Sequence, residues 1–159
     1  VVMSVYTYID STVSADLSDE DLILASYNPD LSTYVLGKEY GDYRFLLQEH
    51  KDSLDVKVYE IDQFNRLSAP MTYGYDLISK EESHAQDIYN KVWFIFGFNE
   101  KATSVRMTYM DESYEEVLPL GSYLVIYPED VTFDLFIENS KVEFLNALGE
   151  VIESTELEN

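Results

Sequence analysis

The sequence predicts a mainly β chain: an antiparallel, immunoglobulin-like β-sandwich in the C-terminal half, preceded by one short helix and paired strands. Three observations carry this. Apolar residues alternate with polar ones from residue 32 onward, as in Leu54, Val56 and Val58 against Asp55, Lys57 and Tyr59. Turn residues recur about every ten positions, the spacing of short strands in a sandwich. Fourteen Tyr, eight Phe and one Trp give 14% aromatic content, which suits pleated, half-buried surfaces.

In chain order, Val1–Ile9 is β-branched and aromatic, and residues 1–16 form an N-terminal arm. Ser18 followed by Asp21 resembles a capping box, and Asp19, Glu20 and Asp21 suit a first helical turn, where the dipole favours anions. Leu17, Leu22, Ile23 and Leu24 supply the apolar side, and Asn28-Pro29 stops the helix. Strands are expected over Ser32–Leu36, Tyr43–Gln48 and Leu54–Ile61, with turns at Gly41-Asp42 and Lys51–Ser53. Gln63–Arg66 reads as a hairpin tip that returns through Leu67–Tyr75, completing a first part over 17–78. Residues 76–90 are polar and unpatterned, so 79–90 is expected to be a connection.

Strands resume at Val92–Phe98, Ser104–Met110, Tyr114–Leu118, Ser122–Tyr127, Val131–Ile137, Lys141–Asn146 and Val151–Glu153, within a sandwich over 91–159 that ends in an acidic tail. KVWFIFGFNE (91–100) is apolar on both faces, which predicts a central strand with Trp93 buried and a bend or bulge at Gly97. In Val131–Ile137 the residues Val131, Phe133, Leu135 and Ile137 alternate with Thr132 and Asp134, with Phe136 breaking the pattern.

Charge restricts the partners. The chain carries 31 acids against 10 bases, a net −21. Residues 1–37 hold six acids and no Lys or Arg, and residues 107–159 hold thirteen acids against Lys141 alone. Such a field repels nucleic acid and anionic lipid. The partners expected are another protein or a cell-envelope component, with no nucleic acid; the oligomeric state is not legible. Cysteine is absent, which removes disulfides and thiolate chemistry. No apolar run reaches the length of a membrane-spanning helix, so no transmembrane segment is expected.

No cofactor is expected, because the six Gly form no phosphate-binding pattern. His50 and His84 lie outside any HExxH motif, no Gly-x-Ser-x-Gly elbow exists, and both imidazoles read as ordinary exposed side chains. The densest acidic cluster, Met110–Glu116, offers Asp111, Glu112, Glu115 and Glu116 as candidate calcium ligands. The competing reading is a hairpin with charged edges that discourage strand addition. Tyr6, Tyr8, Tyr73 and Tyr75 could form an aromatic binding stripe, against which stands their use as strand filler.

Four segments carry a resemblance: Phe96-Gly-Phe-Asn99, Val105-Arg-Met-Thr-Tyr109, Gly121-Ser-Tyr-Leu-Val-Ile126 and Val142-Glu-Phe-Leu-Asn-Ala-Leu-Gly-Glu-Val-Ile152. With them, residues 91–153 resemble the immunoglobulin-like domains that end many small exported or lipid-anchored proteins of Gram-positive bacteria. The resemblance implies a non-enzymatic extracytoplasmic β-domain with a binding or scaffolding role, at the cell surface or outside it, its signal or lipid anchor removed. Two other functions stay open. One is an acidic charge mimic that inhibits a basic, nucleic-acid-binding protein; the other is a carboxylate-dependent glycoside-acting enzyme. An acidic surface is also an adaptation to high salt that requires no partner.

Overall fold

The computed structural model describes residues 16, 18, 19, 21, 34–50, 53–67, 71–75 and 84–156; at 34, 35, 71–75 and 156 it describes the backbone alone. The chain divides into two compact units, residues 1–79 and 80–159. Residues 1–15 of the expected arm, most of the expected helix, residues 79–83 and the last three residues of the acidic tail lie outside the described residues.

In the first unit, β1 (Tyr34–Tyr40), β2 (Tyr43–Glu49), β3 (Leu54–Glu60) and β4 (Met71–Tyr75) form one antiparallel sheet in chain order. The tip after β3 closes where Asn65 N–H donates to Asp62 O at 3.0 Å, with Asn65 at φ 56°. The helical signal at Ser18 is real: Asp21 N–H donates to Ser18 Oγ at 3.1 Å, and Asp19 and Asp21 have helical backbone. Asp19, in the first turn, reaches across to the sheet. Its Oδ1 accepts from the buried Arg44 Nη2 at 2.6 Å and Nε at 3.1 Å, so the first helical turn is tied to β2. A Cβ at Gly37 would overlap the Asp19 carboxylate, and glycine there permits the approach.

The second unit is an antiparallel β-sandwich. One sheet has the order β5-β6-β9, from β5 (His84–Tyr89), β6 (Val92–Asn99) and β9 (Gly121–Ile126). The other has the order β11-β10-β7-β8, from β7 (Ser104–Tyr109), β8 (Glu112–Val117), β10 (Ser140–Leu145) and β11 (Val151–Glu156). Counted within this unit, strands one, two and five face strands seven, six, three and four. In a constant-type immunoglobulin domain the fourth strand pairs with the fifth; here it pairs with the third. One apolar cluster joins the sheets: Trp93, Ile95, Tyr123 and Val125 from the first, Val105, Met107, Val142 and Phe144 from the second. The corner between β6 and β7 is held by the buried Asn99. Its Nδ2 donates to Ala102 O and Pro119 O, both at 2.8 Å, and its Oδ1 accepts from Ala102 N–H.

Three sequence expectations are corrected. First, β5 runs through the stretch expected to be a connection. As the edge strand of its sheet it needs few apolar residues, and HAQDIY carries only Ala85, Ile88 and Tyr89. Second, Gly97 makes no bulge: pairing is continuous from His84 through Gly97 to Tyr123. Third, Val131–Ile137 is not a strand; Phe133–Asn139 is a helix, α1, with Thr132 at its N-cap position. Its start suits a helix, with Asp134 in the first turn and Leu135 N–H donating to Thr132 O at 3.0 Å. At its end Asn139 Nδ2 donates to Leu135 O at 2.7 Å, a side-chain bond back to the preceding turn.

The residue that broke the alternation is the one that is buried. Phe136 packs edge-on against Trp93 with centroids 4.8 Å apart, and Tyr127 lies 5.3 Å from Trp93. Tyr109 completes the group, 6.4 Å from Phe136 and 6.3 Å from Tyr127. Phe136→Ala removes that packing, with an expected loss of about 3–5 kcal/mol in urea denaturation.

Candidate functional site

The helix that replaces the expected strand reverses which residues meet solvent. Phe133, Leu135 and Ile137 are 65%, 46% and 37% exposed, whereas Phe136 is 4% exposed. Phe133 and Ile137 stand one helical turn apart, and Leu135 lies on the other side of the buried Phe136. Met110, 47% exposed, joins them from the turn between β7 and β8, where its N–H donates to Asn139 O at 2.8 Å. Met110 holds φ 55°, a left-handed value that a side chain of this size adopts only when its surroundings impose it.

Four further hydrogen-bonded ties fix this end of the sandwich. Tyr127 OH donates to Glu112 O at 3.1 Å, Thr132 N–H donates to Tyr109 Oη at 3.0 Å, Val131 N–H donates to Lys91 O and Tyr127 N–H donates to Trp93 O, both at 2.8 Å. The loop ahead of α1 supplies Glu129 and Asp130, the helix Asp134 and Glu138, and the β7–β8 hairpin Asp111 and Glu112, all exposed. The loop, the helix and the Met110–Asp111 turn carry no base; Lys91 stands on the β5–β6 turn, where its carbonyl accepts from Val131 N–H. The field is felt by Tyr127: burial and then the Glu129 and Glu112 charges push its hydroxyl above the usual tyrosine range.

The four candidate calcium ligands are separated by this geometry. The hairpin turn is confined to Met110 and Asp111, and strand β8 begins at Glu112. Asp111 and Glu112 lie at the α1 end. Glu115 points to the outer face of the sheet, where its Oε1 accepts from Ser104 Oγ at 2.8 Å and its Oε2 lies 3.4 Å from Arg106. Glu116 accepts from Tyr114 OH at 3.1 Å. Among the described residues no three His, Cys, Asp or Glu side chains are grouped to hold a metal ion. Strand β8 is the edge of its sheet, and its row of carboxylates discourages edge pairing.

His84, expected to be exposed, is instead largely buried where the edge strands β5 and β11 meet. Its Nε2 lies 3.3 Å from Thr155 Oγ1, its Nδ1 3.8 Å from Glu153 Oε1, and its ring 5.0 Å from that of Phe144. Tyr123 sits across Gly97 in the same row, its buried hydroxyl without a hydrogen-bond partner among the described residues. Burial, reinforced by the Glu153 charge, holds that hydroxyl protonated. The Thr–His–Glu sequence has the order of a nucleophile, base and orienting acid, yet the 3.8 Å spacing exceeds a hydrogen bond. The cluster is a polar clasp between the two sheets. His50 Nε2 pairs with Asp55 Oδ2 at 2.7 Å in the first unit, beside the buried Gln48 that faces Asp55 across β2 and β3. The aromatic stripe lies outside the described side chains: Tyr6 and Tyr8 fall in the undescribed arm, and only the backbone is described at Tyr73 and Tyr75.

No signal in the alternation marks the α1 surface. The signals present are Phe136 itself, and Thr132 with Asp134 two residues on, a cap residue followed by an acid in the first turn. No family model matches the chain, and no curated protein or solved structure matches it with significance.

Burial lowers the His84 pKa below its ordinary 6.5, with Glu153 opposing the shift. The unfolded chain therefore takes up the proton first. His84 contributes its stability in full above about pH 6.5 and loses it as pH falls toward the depressed folded value. Other carboxylates also titrate in that direction, so the difference between wild type and His84→Gln isolates the effect. That difference in urea-unfolding free energy shrinks steadily between pH 7 and pH 5.

Proposed function

We propose that the chain is a non-catalytic binding module whose second unit is an immunoglobulin-like sandwich presenting the α1 end to a protein partner. The observation that carries this is the display of Phe133, Leu135, Ile137 and Met110 to solvent on a frame held by the Trp93 aromatic group and by backbone hydrogen bonds. Phe133 and Ile137 share one side of α1 with Asp134 and Glu138 beside them, and exposed apolar residues rimmed by polar groups are the usual mark of an interaction surface. Rigidity adds to it, because a preformed surface loses little entropy when a partner binds.

An extracytoplasmic or cell-surface location belongs to the same proposal and rests on the resemblance of residues 91–153 to exported Gram-positive domains. The partner is then a secreted protein or a component of the cell envelope. What supports a binding role is what the α1 end offers, apolar contact area and charge.

Selection of a random displayed-peptide library on the wild-type chain, followed by counter-screening on Phe133→Ser/Ile137→Ser, tests the reading. A binding module enriches a peptide class that the variant loses. Enriched peptides that bind both proteins equally contradict it.

A further inference from the structure

The α1 end is acidic as well as apolar, and the two properties together select a partner. We infer that this surface takes a cationic amphipathic segment of another protein: apolar side chains seat on Phe133, Ile137 and Met110 while Lys or Arg residues meet the surrounding carboxylates. The inference rests on the reading of the chain as a binding module and adds the chemistry of what is bound.

Charge is distributed unevenly over the second unit. On the outer face of the four-stranded sheet the bases are matched to acids. Arg106 lies 3.4 Å from Glu115 and 3.6 Å from Glu143, and Lys141 lies 3.1 Å from Glu143. At the α1 end Asp111, Glu112, Glu129, Asp130, Asp134 and Glu138 are exposed, with Lys91 on the adjoining β5–β6 turn and Lys141, two residues past α1, paired to Glu143. Bases are thus spent within the sheet and withheld from the end.

Complementarity follows from desolvation. A neutral apolar partner covering Phe133 and Ile137 would strip water from the adjacent carboxylates and return nothing for it. An anionic partner would add repulsion, and nucleic acid or acidic lipid is excluded for that reason. A cationic segment restores the lost hydration with charge-assisted hydrogen bonds at the rim, while its apolar residues contribute the contact energy at the centre. The acidic field also attracts such a segment from a distance, raising its association rate.

The opposite end of the sandwich provides the internal control. It too exposes apolar residues, Val117, Leu120, Leu148 and Val151, and carries Glu100 and Glu150. There Val117 ends β8, Val151 begins β11, Leu120 and Leu148 stand on two different connections, Lys101 lies on a third, and no helix gathers them.

Binding of synthetic amphipathic helices by fluorescence anisotropy tests the inference at low and at moderate salt. Four peptides share one length: Lys-rich with Leu and Phe on one face, the same with Gln for Lys, the same with Glu for Lys, and Lys-rich with Ser for the apolar residues. The Lys-rich amphipathic peptide is expected to bind roughly tenfold or more tightly than any other, and to weaken as salt rises. Phe133→Ser/Ile137→Ser and Glu129→Lys/Glu138→Lys each cost it roughly tenfold, while Glu100→Lys/Glu150→Lys leaves it within about twofold of wild type. All these positions are exposed, and near-ultraviolet circular dichroism confirms that each variant stays folded. Equal loss in the Glu100/Glu150 variant overturns the inference in favour of diffuse attraction to an acidic protein. Equal affinity for the Gln peptide, still lost in the Phe133/Ile137 variant, overturns the cationic chemistry and leaves the binding surface standing. Binding indifferent to Phe133 and Ile137 overturns both.

Discussion

The contact of Phe136 with the edge of Trp93 determines what the second unit shows to solvent. Trp93 stands on the central strand of the smaller sheet and is fully buried. Phe136 reaches it only if the chain after Val131 winds into a helix, since a strand would place Phe136 on the opposite side from Val131, which is also buried. Satisfying both residues turns Phe133, Leu135 and Ile137 outward. Tyr109 and Tyr127 brace the arrangement from the two sheets and send their hydroxyls to the adjoining backbone, so buried aromatic area and hydrogen bonding act together. The exposed apolar residues are therefore a consequence of core packing.

Electrostatics acts on the same frame in a second way. Surface ion pairs such as those of Arg106 add little stability each, about 0–1 kcal/mol. Their larger effect is on where charge remains. With Arg106 and Lys141 engaged on the sheet, the negative field concentrates on the hairpin and helix at the α1 end. In the first unit Arg44 does something different. It is buried and joined to Asp19 by two contacts, so removing either partner strands a charge and costs more than a surface pair would.

Much of the fold was legible because period-two alternation reports a half-buried strand directly, and β3, β7 and β10 follow it. The both-sided apolar run of β6 likewise announced a central strand. The failures have physical causes. Strand β5 is polar because it closes an edge and needs little apolar surface, and so it resembled a connection. Val131–Ile137 alternates as a strand does, but a sequence does not record that Phe136 has Trp93 to pack against. His84 looked exposed because its polar neighbours Ser83 and Gln86 do not reveal that β11 brings Thr155 and Glu153 over it. Asp111 to Glu116 looked like one cluster because nearness in sequence was read as nearness in space, whereas a strand sends neighbours to opposite faces. The α1 surface is hidden for the same reason as the helix: in a strand Phe133, Leu135 and Ile137 would share a face with the buried Val131.

Residue-level solvent exposure in the loop-helix segment decides the matter most directly. Hydroxyl-radical footprinting of the folded chain reads Phe133 and Phe136 separately within one peptide. Oxidation of Phe133 should far outpace that of Phe136, with Ile137 also modified and Trp93 protected. Equal protection of the two phenylalanines, or faster modification of Phe136, would contradict the helix, the aromatic anchor and the surface built on them.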